Sequence, residues 1–257
     1  MNAFYMIEQI PVLVSDTKTG KMPLVLLHGY LETHEIWDSF RVLLEDSFRT
    51  IAPDLPGHGL SGTFAVNHME KQADVIFEYL QKEKITEIMM AGHSMGGYVA
   101  QAFCMKYPQM VKKLLLMHSL PFPDSSEKKA NRDRDIDLIR KGKLEEVAAR
   151  DIPLMYAPEN RVRMASVIEN TIFMSRVHDP EGIEASLKGM KERPSYADFL
   201  KTVSVPLHFI FGMQDHYISV EKAQETASIF TNAKTVFLKN SGHNGFLEEP
   251  TEVVSLI

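Results

Sequence analysis

The chain has 257 residues, 44% of them hydrophobic, and a formal charge of −6 from 28 basic and 34 acidic side chains. That is enough apolar material for a large buried core and excludes a disordered chain, while the acidic balance argues against a dedicated nucleic-acid binder. One cysteine, Cys104, excludes an intramolecular disulfide framework and fits a reducing compartment.

The N-terminal MNAFYMIEQIPVLVSD lacks a basic stretch, a long apolar run and a cleavage site, so no signal peptide is expected. No apolar run approaches the about 18 residues of a membrane span, and a cytoplasmic location is expected. The segment before Pro23 reads as a hairpin ending at DTKTGK, with Gly20 as the turn cue. PLVLLHG (23–29) and RTIAPDL (49–55) read as buried strands. VNHMEKQADVIFEYLQKEK then sets Val66, Met69, Ala73, Ile76, Phe77 and Leu80 on one helical face. EIMMAG is the next strand, MGGYVAQAFCMKYP a helix stopped by Pro108, and VKKLLLMHS (111–119) another strand.

There the rhythm breaks. Over residues 124–151 more than half of the side chains are charged, which predicts a solvated helical surface with Ile136, Ile139, Leu144 and Val147 as its buried stripe. Pro153, Pro158, Pro180 and Pro194 divide 119–204 into short helical pieces. Strand and helix alternate again through PLHFIFG (206–212), SVEKAQETASIF (219–230) and KTVFLKN (234–240), with GFLEEPTEVVSLI as a last helix. The alternation predicts the α/β class, a mostly parallel, doubly wound sheet. Residues 1–118 and 205–257 would form its two parts. Residues 119–204 would be a helical insertion, placed after the sixth strand, over one end of the sheet.

The chemistry gathers around Gly92-His93-Ser94-Met95-Gly96, at the turn from a strand into a helix. So sharp a turn strains the residue at its apex and presses the residues two before and two after it against neighbouring backbone, which glycine tolerates. The serine hydroxyl then projects above the sheet at a helix N-terminus, where developing negative charge is stabilised. This is the G-x-S-x-G nucleophile elbow, although glycine and serine are also ordinary turn residues.

A serine needs a base, and the base needs an orienting acid; in this topology both follow later strands, acid first. Asp215 lies just past PLHFIFG and His243 just past KTVFLKN. Taken singly, Asp215 could cap the helix near Ser219 and His243 could be a surface turn residue. The joint order Ser94, Asp215, His243 at successive strand ends points to a triad. The backbone N–H groups of Tyr30 and Met95 are the candidate oxyanion donors, with His28 shaping the loop between. The Tyr30 side chain lines the pocket or fills space.

LLHGY, DLPGHGLS (54–61), GHSMGG (92–97), FGMQDHYIS (211–219) and SGHNGFLEEP (241–250) together resemble the α/β-hydrolase superfamily, in its branch of small, cap-bearing esterases, lactonases and carbon–carbon hydrolases. The resemblance implies Ser94 as nucleophile, His243 as base and then acid, and Asp215 as its partner, with 119–204 as a cap. It also implies a serine hydrolase for a small-molecule ester, thioester or lactone, working without cofactor or metal. Serine at the apex disfavours the relatives that use aspartate there. The menaquinone-pathway synthase of this branch carries arginine after its elbow glycines, where this chain has Tyr98. Carbon–carbon hydrolysis or such a lyase reaction on the same triad, and a ligand-binding receptor with vestigial turnover, are the alternatives. Arg132, Arg134 and Arg140 are read as solvated cap surface. His118, Phe122, Met155, Tyr156 and Phe173 are the candidate pocket residues, with Met174 and Met190 as possible apolar neighbours.

Two other signals are set aside. Gly57-x-Gly59-x-x-Gly62 matches a dinucleotide-binding pattern, but its helix begins several residues too late, so it reads as a tight loop beside the site. The ten histidines show no metal-ligand spacing.

Overall fold

Leu24, Val25, Leu26 and Leu27 are all fully buried, the signature of a strand covered on both faces. In the computed structural model, which describes residues 1–257, they belong to β3 (Met22–Leu27) in the interior of an eight-stranded sheet. The other strands are β1 (Asn2–Ile7), β2 (Ile10–Asp16), β4 (Phe48–Pro53), β5 (Ile88–His93), β6 (Val111–Met117), β7 (Leu207–Gly212) and β8 (Lys234–Leu238). Their order is β1-β2-β4-β3-β5-β6-β7-β8. The pairs from β4 to β8 are parallel, and β1 with β2 and β2 with β4 are antiparallel.

The order places the site. The chain leaves β3 toward β4 on one side and leaves β5 toward β6 on the other, so a crevice opens beyond the carboxyl ends of β3 and β5. Gly29 and Tyr30 stand past one of those ends and Ser94 past the other.

The helices are α1 (Asp38–Val42), α2 (Met69–Lys82), α3 (Met95–Lys106), α4 (Ser126–Arg140), α5 (Leu144–Asp151), α6 (Ala165–Met174), α7 (Pro180–Glu192), α8 (Ala197–Thr202), α9 (Val220–Ile229), α10 (Gly245–Glu248) and α11 (Pro250–Val254). α3 is buried on every face through Cys104, as expected of an apolar helix against the sheet. α2 buries Met69, Ala73, Ile76 and Leu80 as its periodicity predicts, while Val66 falls in the loop before it. The connection from β6 to β7 holds α4 to α8, and Ile136, Ile139, Leu144 and Val147 are its buried stripe under the charged run. No helix is long and apolar enough to cross a membrane.

The N-terminal hairpin turns earlier than Gly20. Ile7 pairs with Ile10 across Glu8 and Gln9, which carry φ of 50° and 68°. Two successive positive φ values make the mirror-image turn whose twist suits a two-residue hairpin, here built without glycine or asparagine. Residues 17–21 merely link β2 to β3.

Candidate active site

Ser94 sits between β5 and α3 with φ 49° and ψ −112°, a strained conformation for a residue with a side chain. The flanking glycines are sterically required. A methyl on Gly92 would lie 2.5 Å from the Gly96 carbonyl oxygen, and one on Gly96 would strike the Leu27 carbonyl at the end of β3. The elbow is therefore pressed between its own helix and the neighbouring strand, and Ser94 is left half-buried with its hydroxyl free of both.

His243 and Asp215 meet it. The Ser94 hydroxyl lies 2.9 Å from His243 Nε2, and His243 Nδ1 lies 2.7 Å from Asp215 Oδ2. A carboxylate opposite Nδ1 fixes the proton there, leaving the Nε2 lone pair for the serine O–H. The other oxygen of Asp215 accepts the N–H groups of Tyr217 (2.7 Å) and Ile218 (3.0 Å). The cap of α9 is Ser219 instead. Burial pulls the Asp215 carboxyl upward, but His243 and the two ring hydrogen bonds hold it well below the usual carboxylate range.

The second ring on Asp215 is His118. It follows β6 with φ 50°; its Nδ1 is 3.0 Å from Oδ2, and its Nε2 accepts the Gly245 N–H at 3.2 Å. With a donor facing Nε2, this ring is neutral. Burial pushes it down to about 4 despite the pull of Asp215. Ligand atoms of His118, Asp215 and His243 lie within 4.8 Å of one another, close enough for a metal ion, but the same atoms already serve these hydrogen bonds.

A buried ion pair lies beside them. His93 stands between two acceptors, with Nδ1 2.9 Å from Glu32 Oε2 and Nε2 2.8 Å from the His243 carbonyl. Both nitrogens therefore carry protons. Burial opposes that charge, yet Glu32 raises the His93 pKa, and His93 lowers that of Glu32. Glu32 also accepts the Gly29 N–H at 2.7 Å. The pair thus ties three loops together: the one carrying Tyr30, the elbow, and the one carrying His243. Sequence reasoning missed it, and the only available signal was a histidine wedged between Gly92 and Ser94.

The Tyr30 N–H has no backbone partner, and the N–H of Met95, at the start of α3, is one of the donors every helix start leaves free. His28 shapes the loop as expected: Nδ1 donates to the Gly29 carbonyl at 2.8 Å and Nε2 accepts the Leu55 N–H at 2.9 Å. The Gly57–Gly62 segment is a tight loop against this site, its His58 ring packed on His28 and Tyr30.

Ser94 and His243 open into a cavity of about 660 Å³, inside the about 300–1,000 Å³ range of small-molecule sites. Its wall includes His118, Met155 and Met190 among the expected residues, and also Tyr30 and Tyr98. Three expected pocket residues lie elsewhere. Phe122 packs on Phe230, with Lys222 over its ring. Tyr156 is 1% exposed, within the core. Phe173 is 56% exposed and carries Arg176 over its ring. Spacing identifies apolar positions in a helical segment but not the side to which each piece is turned once prolines re-aim it. Met174 lines a separate cavity of about 250 Å³ with Leu31 and Ile36. Arg140 is exposed and pairs with Glu184 as a surface residue should, but Arg132 is only 17% exposed, pairs with buried Asp124 and lines the large cavity.

Residues 22–250 match the family described as the alpha/beta hydrolase fold. The chain is 27% identical to the pimeloyl-[acyl-carrier protein] methyl ester esterase of Nitrosomonas europaea, over 92% of this chain and 95% of that protein. It is 29% identical to a putative 2-succinyl-6-hydroxy-2,4-cyclohexadiene-1-carboxylate synthase of Bacillus subtilis, over 88% of this chain and 85% of that one. Among solved structures, a thermophilic esterase from Thermogutta terrifontis superposes with a TM-score of 0.91 at 31% identity, covering 100% of this chain and 96% of that one.

Proposed function

The chain belongs to the α/β-hydrolase family, and from that premise we propose a serine hydrolase that cleaves a small-molecule carboxylic ester, thioester or lactone through an acyl-enzyme on Ser94. The observation that carries this reading is the continuous hydrogen-bond chain from Ser94 through His243 to Asp215, at 2.9 and 2.7 Å.

Ser94 Oγ attacks the carbonyl carbon as its proton passes to His243 Nε2. The N–H groups of Tyr30 and Met95 receive the oxyanion. Collapse breaks the bond to the leaving oxygen or sulfur, which takes the proton from Nε2. Water then attacks the acyl carbon, gives a proton to Nε2, and the acid departs as Ser94 regains its own. Asp215 stays ionised throughout and stabilises the imidazolium. His118 is a positioning residue that holds Asp215 through the same oxygen that faces His243. Residues 119–204 act as a cap that closes the cavity over Ser94. The Met155 carbonyl, which accepts the His243 N–H at 2.7 Å, supports this role by linking that segment to the base.

Treatment with a fluorophosphonate and intact-mass analysis tests the reading. One adduct on the wild type and none on Ser94→Ala is the expected result. p-Nitrophenyl ester turnover should fall by about 10⁴-fold or more in the variant. A folded wild type without adduct or turnover would overturn the proposal. Carbon–carbon hydrolysis on the same three residues would instead label at Ser94 while the ester series stayed inert.

A further inference from the structure

The cavity wall contains an imbalance of charge that the acyl-transfer chemistry does not use. Asp124, 6% exposed, holds two guanidinium groups: Arg132 through Nε and, at 3.4 Å, Nη2, and Arg193 through Nη1 at 2.8 Å. Arg193 is occupied elsewhere as well. It donates to the carbonyls of Met190 (2.7 Å) and Phe122 (3.0 Å), and its guanidinium lies 3.8 Å over the Tyr98 ring. Arg132 differs, because its Nη1 makes no hydrogen bond within the protein and the residue lines the cavity.

Tyr30 borders the same cavity, and its hydroxyl is buried with no partner. Burial, with Asp135 and Asp151 nearby, keeps that group a phenol, available to donate. A buried hydroxyl without a partner and a largely buried cation without its own counter-ion both cost free energy. The other acids on the wall make no ion pair with Arg132. Asp135 and Asp151 share Arg150, at 2.8 and 2.6 Å, which leaves them one negative charge in excess, and Lys128 and Arg134 outnumber Glu127 on the same wall. The charged side chains around the cavity come to one net positive.

We propose that the substrate carries a second, free carboxylate, which accepts hydrogen bonds from Arg132 Nη1 and the Tyr30 hydroxyl while its ester faces Ser94. The substrate class is thus a monoester of a dicarboxylic acid or an ester of a hydroxy acid. A carboxylate group, with one charge, matches the one net positive charge of the wall, whereas a phosphate dianion would place two charges on one group. The inference rests on the hydrolase reading of Ser94 for the ester half, and on the Arg132–Tyr30 arrangement alone for the carboxylate half.

Two matched pairs of esters test it on the full-length protein. p-Nitrophenyl hemiglutarate against p-nitrophenyl valerate puts the acid on the acyl side; 4-acetoxybenzoate against its methyl ester puts it on the leaving group. One anionic member should exceed its neutral partner in kcat/KM by about ten-fold or more, and Arg132→Met and Tyr30→Phe should each lower that ratio, chiefly through KM. Glutarate binding by calorimetry gives a readout independent of turnover: the wild type and Ser94→Ala should bind it, and Arg132→Met should not. If Arg132→Met fails to fold, Tyr30→Phe and the wild-type ratios still decide. Neutral esters hydrolysed with both ratios at or below one, and no saturable glutarate binding, would overturn the inference and leave the hydrolase reading standing. Arg132-dependent glutarate binding without adduct or ester turnover would do the reverse, upholding the anion site and overturning the hydrolase reading.

Discussion

Two histidines beside the Ser94–His243 pair hold opposite protonation states, and their partners decide which. His118 has the Gly245 N–H facing Nε2 and is neutral; His93 faces two acceptors and is an imidazolium paired with Glu32. The His93 pKa is raised, so its contribution to stability is complete below the ordinary histidine value of 6.5 and is lost as pH rises through the raised one. The Glu32 pKa is lowered, so its contribution is complete above 4.5 and is lost as pH falls through the lowered one. Glu32→Gln keeps the shape and removes the countercharge from a buried cation. It should cost about 3 kcal/mol in urea unfolding at mildly acidic pH. Its stability should then change less than that of the wild type between that pH and an alkaline one; equal pH dependence in the two would show that His93 is uncharged. Ser94, Asp215 and His243 were legible in the sequence because each follows a strand whose end can be read. Glu32 and His93 were not, because they stand 61 residues apart and nothing local records that the fold joins them. Arg132 was misread for a related reason: its buried partner, Asp124, opens the same charged run and looks equally solvated.

At the scale of elements, the helices between β6 and β7 dock by close backbone approach. Gly182 of α7 packs against Gly57, and a methyl on Gly189 would strike the Asn67 carbonyl oxygen. Asn67 completes the joint, its Nδ2 donating to the carbonyls of Pro56 (2.9 Å) and Gly182 (3.2 Å) and to Ser186 Oγ (2.9 Å). Read from sequence alone, glycines in the middle of α7 only weaken a helix; in the fold they set how near it comes to the 56–67 loop. Gly189→Ala, a better helix former, should therefore lower stability by about 1–3 kcal/mol. Faster amide exchange in α7 and the adjoining loop should accompany it, while a variant as stable as the wild type would mean that α7 does not rest on that contact. The buried stripe of α4 and α5 was readable because four apolar positions recur among charges. The N-terminal turn was not, because Glu8 and Gln9 adopt a conformation that composition assigns to glycine or asparagine.

For the whole molecule, alternating apolar and amphipathic segments were enough to give a parallel sheet, but not how firmly residues 119–204 are joined to it. Buried hydrogen bonds cross that boundary at several points. The Gly59 N–H donates to His178 at 2.9 Å, the Ala157 N–H to Glu248 at 2.8 Å, and the N–H groups of His243 and Asn244 to the Met155 carbonyl at 2.7 and 3.1 Å. Unfolding should accordingly be one transition. Fluorescence of Trp37, the only tryptophan, its ring centroid 4.2 Å from that of Phe246, should report the same urea midpoint as far-ultraviolet circular dichroism. A circular-dichroism loss that precedes the fluorescence change would mean the helical segment melts separately. Met155 has one more consequence. The residue borders the cavity while its carbonyl anchors the backbone of His243, the proposed base, so an exchange there that shifts the backbone would alter substrate fit and proton transfer together. Leu187 and Met190, on α7, border the same space without that tie. New substrate ranges in this lineage should therefore be gained first along α7, where selectivity can drift while the turnover machinery stays untouched.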